Sequence, residues 1–252
     1  MRTGDRDGIL ETDRRNQTFE LESRERSVLI VALIIEYCGL IIMSKNDKVS
    51  LLKQAIFDEN GKDRNVIESI SSAFLKYDRN LDSPVSIQFS SKLDKDDLAW
   101  AFDTVKTNME DLYDKSGYGW EDDDKLSELT EDGARFLLVR DHESILLGFV
   151  HFRFTVQGEV MDVMEGEPSL YIWDLHIDEE YRGKGLGKHL LLILELVARQ
   201  QKMSVISLPV QLCDEAAAQW ISRVKGYAKD AKLKSLVGFK SELEVGLIII
   251  IP

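Results

Sequence analysis

The residues most able to do chemistry in this chain form a short glycine-rich loop between a predicted strand and a predicted helix. The loop reads Arg-Gly-Lys-Gly-Leu-Gly-Lys over residues 182–188. Glycine tolerates positive φ angles and leaves room for close backbone approach, so successive N–H groups can point into one concavity. Together with the N-terminus of the following helix, such a loop can bind a pyrophosphate. The candidate phosphate-binding residues are Arg182, Gly183, Lys184, Gly185, Leu186, Gly187 and Lys188.

The spacing of these glycines differs from that of two common nucleotide-binding loops. A Walker loop ends in Gly-Lys-Ser/Thr, and a Rossmann fingerprint needs Gly-x-Gly-x-x-Gly. The observed Arg-x-x-Gly-x-Gly, after an aromatic-rich strand and before an apolar helix, resembles the acyl-CoA loop of the GNAT superfamily. The alternative is a plain helix-capping glycine loop. The resemblance implies acetyl-CoA as cosubstrate, a preceding strand that splays from its neighbour, and backbone contacts to the pantetheine arm from Leu175, His176 and Ile177.

Composition argues against several other classes of site. The formal net charge of −13 disfavours direct binding of DNA or RNA, because an acidic surface repels phosphate, and it favours basic peptides as partners. Cys38 and Cys213 are the two cysteines of the chain, too few for a disulfide framework or a thiolate metal site. The four histidines lack metal-ligand spacing, so we expect no metal.

The elements that must position the loop follow from hydrophobic periodicity. Helical spacing is seen at 65–75, 94–115, 186–200 and 214–225, and strand patterns at 135–140, 145–154, 170–177 and 203–210. The acidic stretch 121–132 indicates a solvated helix face. Together these elements predict a mixed α/β sheet flanked by helices.

Simple alternation along the strand before the loop predicts two faces. One face would carry Tyr171, Trp173, Leu175 and Ile177, and the other Ile172, Asp174 and His176.

The two ends of the chain are less regular. Residues 1–49 form a charged extension with an apolar run at 28–43, which Glu36 interrupts and which is shorter than the roughly 20 residues of a membrane-spanning helix. A buried or partner-binding element is therefore the first hypothesis for the run, with a membrane anchor as the alternative. We assign 50–244 to the main domain, and 245–252 to a hydrophobic tail that has a strand pattern.

Several phrases resemble one GNAT subfamily, the histone N-terminal acetyltransferase NatD. They lie at residues 74–80, 100–113, 119–120, 151–154, 182–187 and 217–220. The resemblance implies a GNAT fold with an N-terminal helical extension, and a monomer in the cytoplasm and nucleus. It also implies direct transfer of acetyl from acetyl-CoA to the free N-terminal amine of histone tails that begin Ser-Gly-Arg-Gly.

The same resemblance suggests roles for single residues. Asp174 stands where the family has a glutamate that takes the amine proton; it is one methylene shorter, so a bridging water is expected. Tyr113 matches a tyrosine of the peptide site and is the second catalytic candidate. The remaining substrate-binding candidates are Tyr118, Tyr171 and Trp173, and Asp214 replaces a cofactor-side asparagine.

One substrate-binding feature of the subfamily is altered. The family's Asp-x-Glu, which grips the substrate's arginine, is replaced by Thr155 and Gln157, although Glu159 and Asp162 lie close in sequence. Two alternatives follow: acetylation of a lysine or small amine, and a catalytically silent acyl-CoA-binding protein.

Overall fold

A computed structural model describes residues 64–156, 168–211 and 213–224, together with the backbone of two short segments at 227–229 and 245–250. All of these residues belong to one unit of the chain, Val49–Pro252. The apolar run at 28–43 and three of the residues discussed above, Gln157, Glu159 and Asp162, lie outside the described residues.

The described chain is built from eight strands and four helices. The strands are β1 (Lys76–Tyr77), β2 (Val85–Ser90), β3 (Arg135–Arg140), β4 (Leu146–Val156), β5 (Pro168–Ile177), β6 (Val205–Gln211), β7 (Tyr227–Lys229) and β8 (Val245–Ile250). The helices are α1 (Lys95–Lys115), α2 (Asp122–Thr130), α3 (Leu186–Gln200) and α4 (Glu215–Ser222), with a 3-10 turn at Glu179–Tyr181.

These strands form one mixed sheet in the order β1-β2-β3-β4-β5-β6-β8-β7. Every neighbouring pair is antiparallel except β5 and β6, which are parallel and are joined through the glycine loop and α3. The strand predicted in the hydrophobic tail is present as β8, which pairs with β6 from Gln211↔Val245 to Ile206↔Ile250. The prediction of a mixed sheet flanked by helices is confirmed.

Each face of the sheet has its own hydrophobic cluster. The first cluster joins α3 to one face and includes Leu190, Leu194, Leu137, Val150, Phe152 and Ile172. The second joins α1 and α2 to the opposite face, which we call the α1/α2 face, and includes Ala101, Val105, Leu129, Phe136, Leu138 and Phe149.

The longest helix confirms the amphipathic pattern read at 94–115. Asp94 caps α1, because its carboxylate accepts hydrogen bonds from the backbone N–H groups of Asp96 and Asp97. Ala101 and Val105 are fully buried against the sheet. The helix ends at Lys115, Ser116 is its C-cap, and the next residue, Gly117, adopts a φ of 75°.

The prediction of a helix at 65–75 is wrong, because the segment forms two separate turns instead. Asn65 begins the first turn by accepting a hydrogen bond from the N–H of Ile67, a local side-chain bond that competes with helix formation. The apolar residues of the segment are buried nevertheless, since Val66, Ile67 and Ile70 belong to the first cluster. Phe74 is 41% exposed.

No helix among the residues that the structure describes is both long enough and apolar enough to span a bilayer.

Candidate active site

The central feature of the site is a gap between the two parallel strands. β5 pairs with β4 along its whole length, from Val156↔Pro168 to Gly148↔Ile177. It pairs with β6 only from Ser169↔Val205 to Tyr171↔Ser207. The edge of β5 from 172 to 177 therefore has no strand beside it on the β6 side. This is the splay that the sequence analysis expected, and it contains Leu175, His176 and Ile177.

The glycine loop lies at the open end of this gap. Gly183 and Gly185 have φ angles of 74° and 94°, in a backbone region that residues with a Cβ rarely adopt. Gly185 is also the N-cap of α3, and it contributes no side-chain cap to the helix. The first backbone N–H groups of α3 are therefore left for a ligand, and the helix dipole favours an anion there.

The cationic side chains of the loop provide a partial match to a pyrophosphate. Lys188 is exposed at the first turn of α3, and Lys184 is half-buried with its ammonium 5.2 Å from the Tyr181 ring. A Cβ added at Gly183 would meet nothing within 4 Å, so space remains beside the backbone at that position. The loop thus offers two cations and open backbone to a diphosphate such as that of acetyl-CoA.

Tyr77 on β1 supports the loop, although it was not among the predicted site residues. Its hydroxyl donates a 2.7 Å hydrogen bond to the carbonyl of Lys184. A Cβ at Gly185 would lie only 2.5 Å from that hydroxyl oxygen. His189 of α3 donates from Nε2 to the carbonyl of Phe74 over 2.8 Å, which ties the chain before β1 to the same helix. Tyr77 lies 107 residues before Lys184 in the chain, so no local sequence pattern indicated this contact.

The guanidinium of Arg182 is engaged within the protein. Its Nε donates to the carbonyl of Ile177 over 2.8 Å, and its Nη2 donates to Oδ1 of Asn108 over 3.0 Å. Arg182 therefore fixes the loop to the end of β5 and to α1. Asn108 is a second functional candidate that the sequence analysis missed.

Close packing on the far side of the loop explains the third glycine. A Cβ at Gly187 would lie 3.1 Å from the Trp220 ring and 3.4 Å from the Ile177 side chain. Trp220 belongs to α4, whose N-cap is Asp214. The Asp214 carboxylate accepts a 2.9 Å hydrogen bond from the N–H of Ala217 and so caps its own helix.

A β-bulge at Trp173 overturns the predicted alternation of β5. The register shifts so that His151 of β4 is opposite Asp174, and Phe152 is opposite Ile172. Trp173 is thus the extra residue, and after it the side chains reverse their faces. The α1/α2 face carries Tyr171, Trp173, Asp174 and His176, whereas Ile172, Leu175 and Ile177 pack with the first cluster.

Asp174 lies at the centre of a buried charged cluster. One carboxylate oxygen is 3.5 Å from Nζ of Lys125 on α2, and the other is 3.2 Å from Nδ1 of His151. Nε2 of His176 is 3.8 Å away, which is an electrostatic contact and longer than a hydrogen bond. The predicted solvated face at 121–132 is mostly exposed, but Lys125 points inward and is 4% exposed.

This cluster sets the charge of Asp174. Burial acts to raise the pKa of the carboxyl group, but the ammonium of Lys125 and the rings of His151 and His176 outweigh it. The pKa of Asp174 is therefore held well below its ordinary value. Asp174 is an anion at neutral pH, and its charge is already balanced inside the protein.

Aromatic side chains surround the charged cluster. Tyr113 of α1 makes edge contacts with Tyr118 and Trp120, at ring-centroid distances of 5.7 and 5.5 Å, and its ring is 5.9 Å from Nζ of Lys125. Tyr171 and Trp173 contact each other at 4.9 Å. Tyr118 is 68% exposed, so it forms the rim of the group.

Tyr113 and Tyr171 keep their hydroxyl hydrogens at neutral pH. Burial raises the pKa of the Tyr113 hydroxyl, and it raises that of Tyr171 further. Nε1 of Trp173 is buried and has no hydrogen-bond partner among the described residues. The group thus offers donors next to a carboxylate.

Thr155, predicted to bind substrate, is 3% exposed, with its hydroxyl 3.4 Å from the Val156 carbonyl.

Among the described residues, no group of histidine, cysteine and acidic side chains has the arrangement of a metal site.

Comparison with known proteins gives matches to one family. The model of the acetyltransferase (GNAT) family matches residues 98–227, which include most of α1, the splayed strands and the glycine loop. Among solved structures, Arabidopsis thaliana NAA60 in complex with a bisubstrate analogue is 16% identical; the match covers 66% of this chain and 99% of that one, with a TM-score of 0.44. An Arabidopsis thaliana Naa50 complex is 18% identical over 66% and 97%, with a TM-score of 0.43. A GNAT-family acetyltransferase from Listeria monocytogenes is 16% identical over 70% and 99%, with a TM-score of 0.49.

Proposed function

This chain belongs to the acetyltransferase (GNAT) family, whose members use acetyl-CoA as cosubstrate, and from that premise we propose that it is an Nα-acetyltransferase. It transfers the acetyl group to the free N-terminal amine of a peptide. The substrate class we propose is the histone tail beginning Ser-Gly-Arg-Gly, on the strength of the phrases at 74–80 and 100–113 that resemble NatD.

The observation that carries this proposal is the position of Asp174. Its carboxylate lies on the part of β5 that has separated from β6, on the face with Tyr113 and Tyr171. The glycine loop lies after the end of the same strand. An amine entering between the tyrosines would therefore approach a thioester in the gap from the side of a fixed anion.

The chemical step is a direct transfer. The amine nitrogen attacks the thioester carbonyl carbon, so that a C–N bond forms while the C–S bond breaks. Asp174 accepts the amine proton through a bridging water, and the departing thiolate takes a proton from the donor side of the site. Tyr113 is our candidate for that second role, because its ring lies 5.9 Å from Nζ of Lys125, the ammonium that pairs with Asp174.

A strong base is unnecessary for this substrate. An α-amine has a pKa of about 7.7–8.0, so a sizeable fraction is already neutral at physiological pH. The depressed pKa of Asp174 makes it a weak base, which is sufficient for a proton that leaves as the C–N bond forms. A lysine side chain, with a pKa of about 10.4, would need a stronger base than this site offers. The site therefore favours an α-amine over a lysine.

Charge supports a basic peptide as the acceptor. The chain carries 45 acidic against 32 basic residues. Glu128 and Glu131 pair with Lys125 and Arg153, whose cationic groups lie over the rings of Tyr113 and Trp173. A cationic tail would be drawn toward this side by long-range attraction. We propose that Glu159 and Asp162 replace the family's Asp-x-Glu in holding the substrate's arginine.

The test is acetylation of a Ser-Gly-Arg-Gly-led peptide by the full chain with acetyl-CoA, read by peptide mass. One control peptide has a blocked N-terminus, and a second has a blocked N-terminus and an added lysine. Addition of one acetyl group to the free-amine peptide alone supports the proposal. Acetylation of the lysine control instead would establish lysine transfer.

A silent acyl-CoA-binding protein is the second candidate, and one observation favours it. Asp174 already contacts Lys125 and His151, so its carboxylate is paired within the protein before any substrate binds. Binding of acetyl-CoA by calorimetry, with no product from any of the three peptides or from small amines, would select this function.

A further inference from the structure

Asn108, near the middle of α1, links the cofactor loop to the strand that carries Asp174. Its Oδ1 lies 3.0 Å from Nη2 of Arg182, in the loop. Its Nδ2 lies 3.3 Å from Nδ1 of His176, on β5. The side chain is half-buried, and it contacts two residues that are far from it in sequence. No part of the chemistry described above uses it.

Donor and acceptor rules fix the direction of this chain of contacts. An arginine guanidinium can only donate, so the atom of Asn108 that faces Arg182 must be the amide oxygen. The amide nitrogen of Asn108 then faces His176 and can only donate. Nδ1 of His176 must therefore accept.

This assignment determines where the hydrogen of the neutral His176 ring lies. If Nδ1 accepts, the single ring hydrogen is on Nε2. Nε2 is the atom that faces Oδ1 of Asp174, at 3.8 Å. The ring edge presented to the carboxylate is thus an N–H rather than a lone pair, and the contact is attractive.

The surroundings of His176 favour this single arrangement. Its ring packs against Phe149 of β4, with centroids 5.8 Å apart, and its side chain is 12% exposed. The charged groups around it are Asp174 on its own strand, Lys125 of α2 beyond that carboxylate, and Arg182 beyond Asn108. These contacts hold the ring at a fixed position between the loop and the carboxylate.

We propose that Asn108 is a positioning residue that couples the cofactor loop to Asp174 by fixing the hydrogen of His176 on Nε2. Through this link, the loop conformation held by Arg182 and the electrostatic environment of the Asp174 carboxylate are set together. The kinetic part of the proposal rests on the role proposed for Asp174, whereas the position of the hydrogen does not.

The test is ¹⁵N NMR of the histidine rings at pH 8, where a histidine is ordinarily neutral. The His176 signals are identified by their loss in His176→Gln. In the wild-type protein we expect Nδ1 to resonate as an unprotonated nitrogen and Nε2 as a protonated one. Wild-type His176 with its hydrogen on Nδ1 would overturn the proposal without the need for any variant of Asn108.

Asn108→Asp is the matched perturbation. A carboxylate still accepts from Arg182, but it cannot donate to His176, so Nδ1 must become protonated. We expect that change in the spectrum, with kcat reduced on the order of tenfold and KM for acetyl-CoA unchanged. An unchanged His176 spectrum in Asn108→Asp would also refute the proposal.

Asn65→Asp controls for the added negative charge. Asn65 is exposed, and its Oδ1 accepts from the N–H of Ile67, a bond that aspartate retains. We expect its histidine spectrum and kinetics to match the wild type. Because the spectra are recorded without substrate, the result stands whether or not the histone-tail peptide is acetylated.

Discussion

The ammonium of Lys125 lies 3.5 Å from the carboxylate of Asp174, and the two side chains are only 4% and 5% exposed. Two opposite charges are thus removed from water together, next to the gap between β5 and β6. Each charge is tolerated because the other is present, since a single buried ion is strongly unfavourable. This pair connects the stability of the fold to the chemistry of the site.

The first prediction concerns the loss of one member of that pair. Lys125→Met leaves the Asp174 carboxylate buried without its main counter-charge, and we expect it to lower the free energy of unfolding by about 3–5 kcal/mol. Denaturant unfolding at pH 7 measures this change. Lys106→Met is the matched control, because Lys106 forms an exposed pair with Asp122. We expect Lys106→Met to lower the free energy of unfolding by much less than Lys125→Met does.

The double variant Lys125→Met/Asp174→Asn tests the cause of that loss. It removes both charges, so we expect it to be more stable than Lys125→Met alone. If Lys125→Met cost no more than Lys106→Met, the pair would not contribute to stability in the way described.

The second prediction concerns stability in acid. The folded pKa of Asp174 is below its unfolded value of about 3.9, so its contribution is fully present above about pH 4. It is lost as the pH falls from there toward the folded pKa. The difference in unfolding free energy between wild type and Asp174→Asn should therefore be constant from about pH 5 to 8 and shrink below about pH 4. A difference that already declined between pH 7 and 5 would contradict the depressed pKa.

The third prediction concerns the pH dependence of catalysis. Because Asp174 stays ionised throughout the working range, the acid limb of kcat/KM should report the α-amine of the peptide, with an apparent pKa of about 8. Asp174→Asn should lower the plateau without moving that midpoint. Rates measured from about pH 4 to 9.5 would show this. A wild-type limb between pH 4 and 6 would instead assign the titration to a carboxyl group.

The cofactor side of the site could be predicted well from the sequence, since its signal is local. The glycine spacing, the following apolar helix and the preceding strand are contiguous, and the splay and loop appear where that pattern placed them. The contacts that hold the loop were not predictable in this way. Tyr77 and Asn108 reach it from 107 and 74 residues away in the chain, and neither residue type suggests such a role by itself.

The amine side of the site was harder to predict, because one irregularity in strand pairing decides it. Strict alternation placed Asp174 on the face opposite Tyr171 and Trp173, whereas the bulge brings all three to the α1/α2 face. No glycine or proline marks the bulge in the sequence, since it arises from the register between β4 and β5. Lys125 was similarly hidden within an acidic segment that is otherwise exposed.

The fourth prediction concerns the contact between Gly185 and Tyr77. In Gly185→Ala the new Cβ would lie 2.5 Å from the Tyr77 hydroxyl oxygen, at a φ of 94° that alanine rarely adopts. We expect the loop to shift and KM for acetyl-CoA to rise by about tenfold or more, because the loop and helix N-terminus no longer present their N–H groups together. Binding of CoA by calorimetry and steady-state kinetics both measure this effect.

Two further variants separate steric clash from backbone strain. Gly117→Ala introduces alanine at a φ of 75° with nothing within 4 Å, away from the loop, so it should cost about 1–2 kcal/mol of stability and leave KM unchanged. Gly185→Ala/Tyr77→Phe removes the hydroxyl that the Cβ would strike, and the next Tyr77 atom is 3.7 Å away. If clash dominates, this double variant recovers part of the affinity for CoA. If it binds CoA no better than Gly185→Ala, then strain at residue 185, together with the lost bond to Lys184, limits binding, and Tyr77 is not the reason that this position requires glycine.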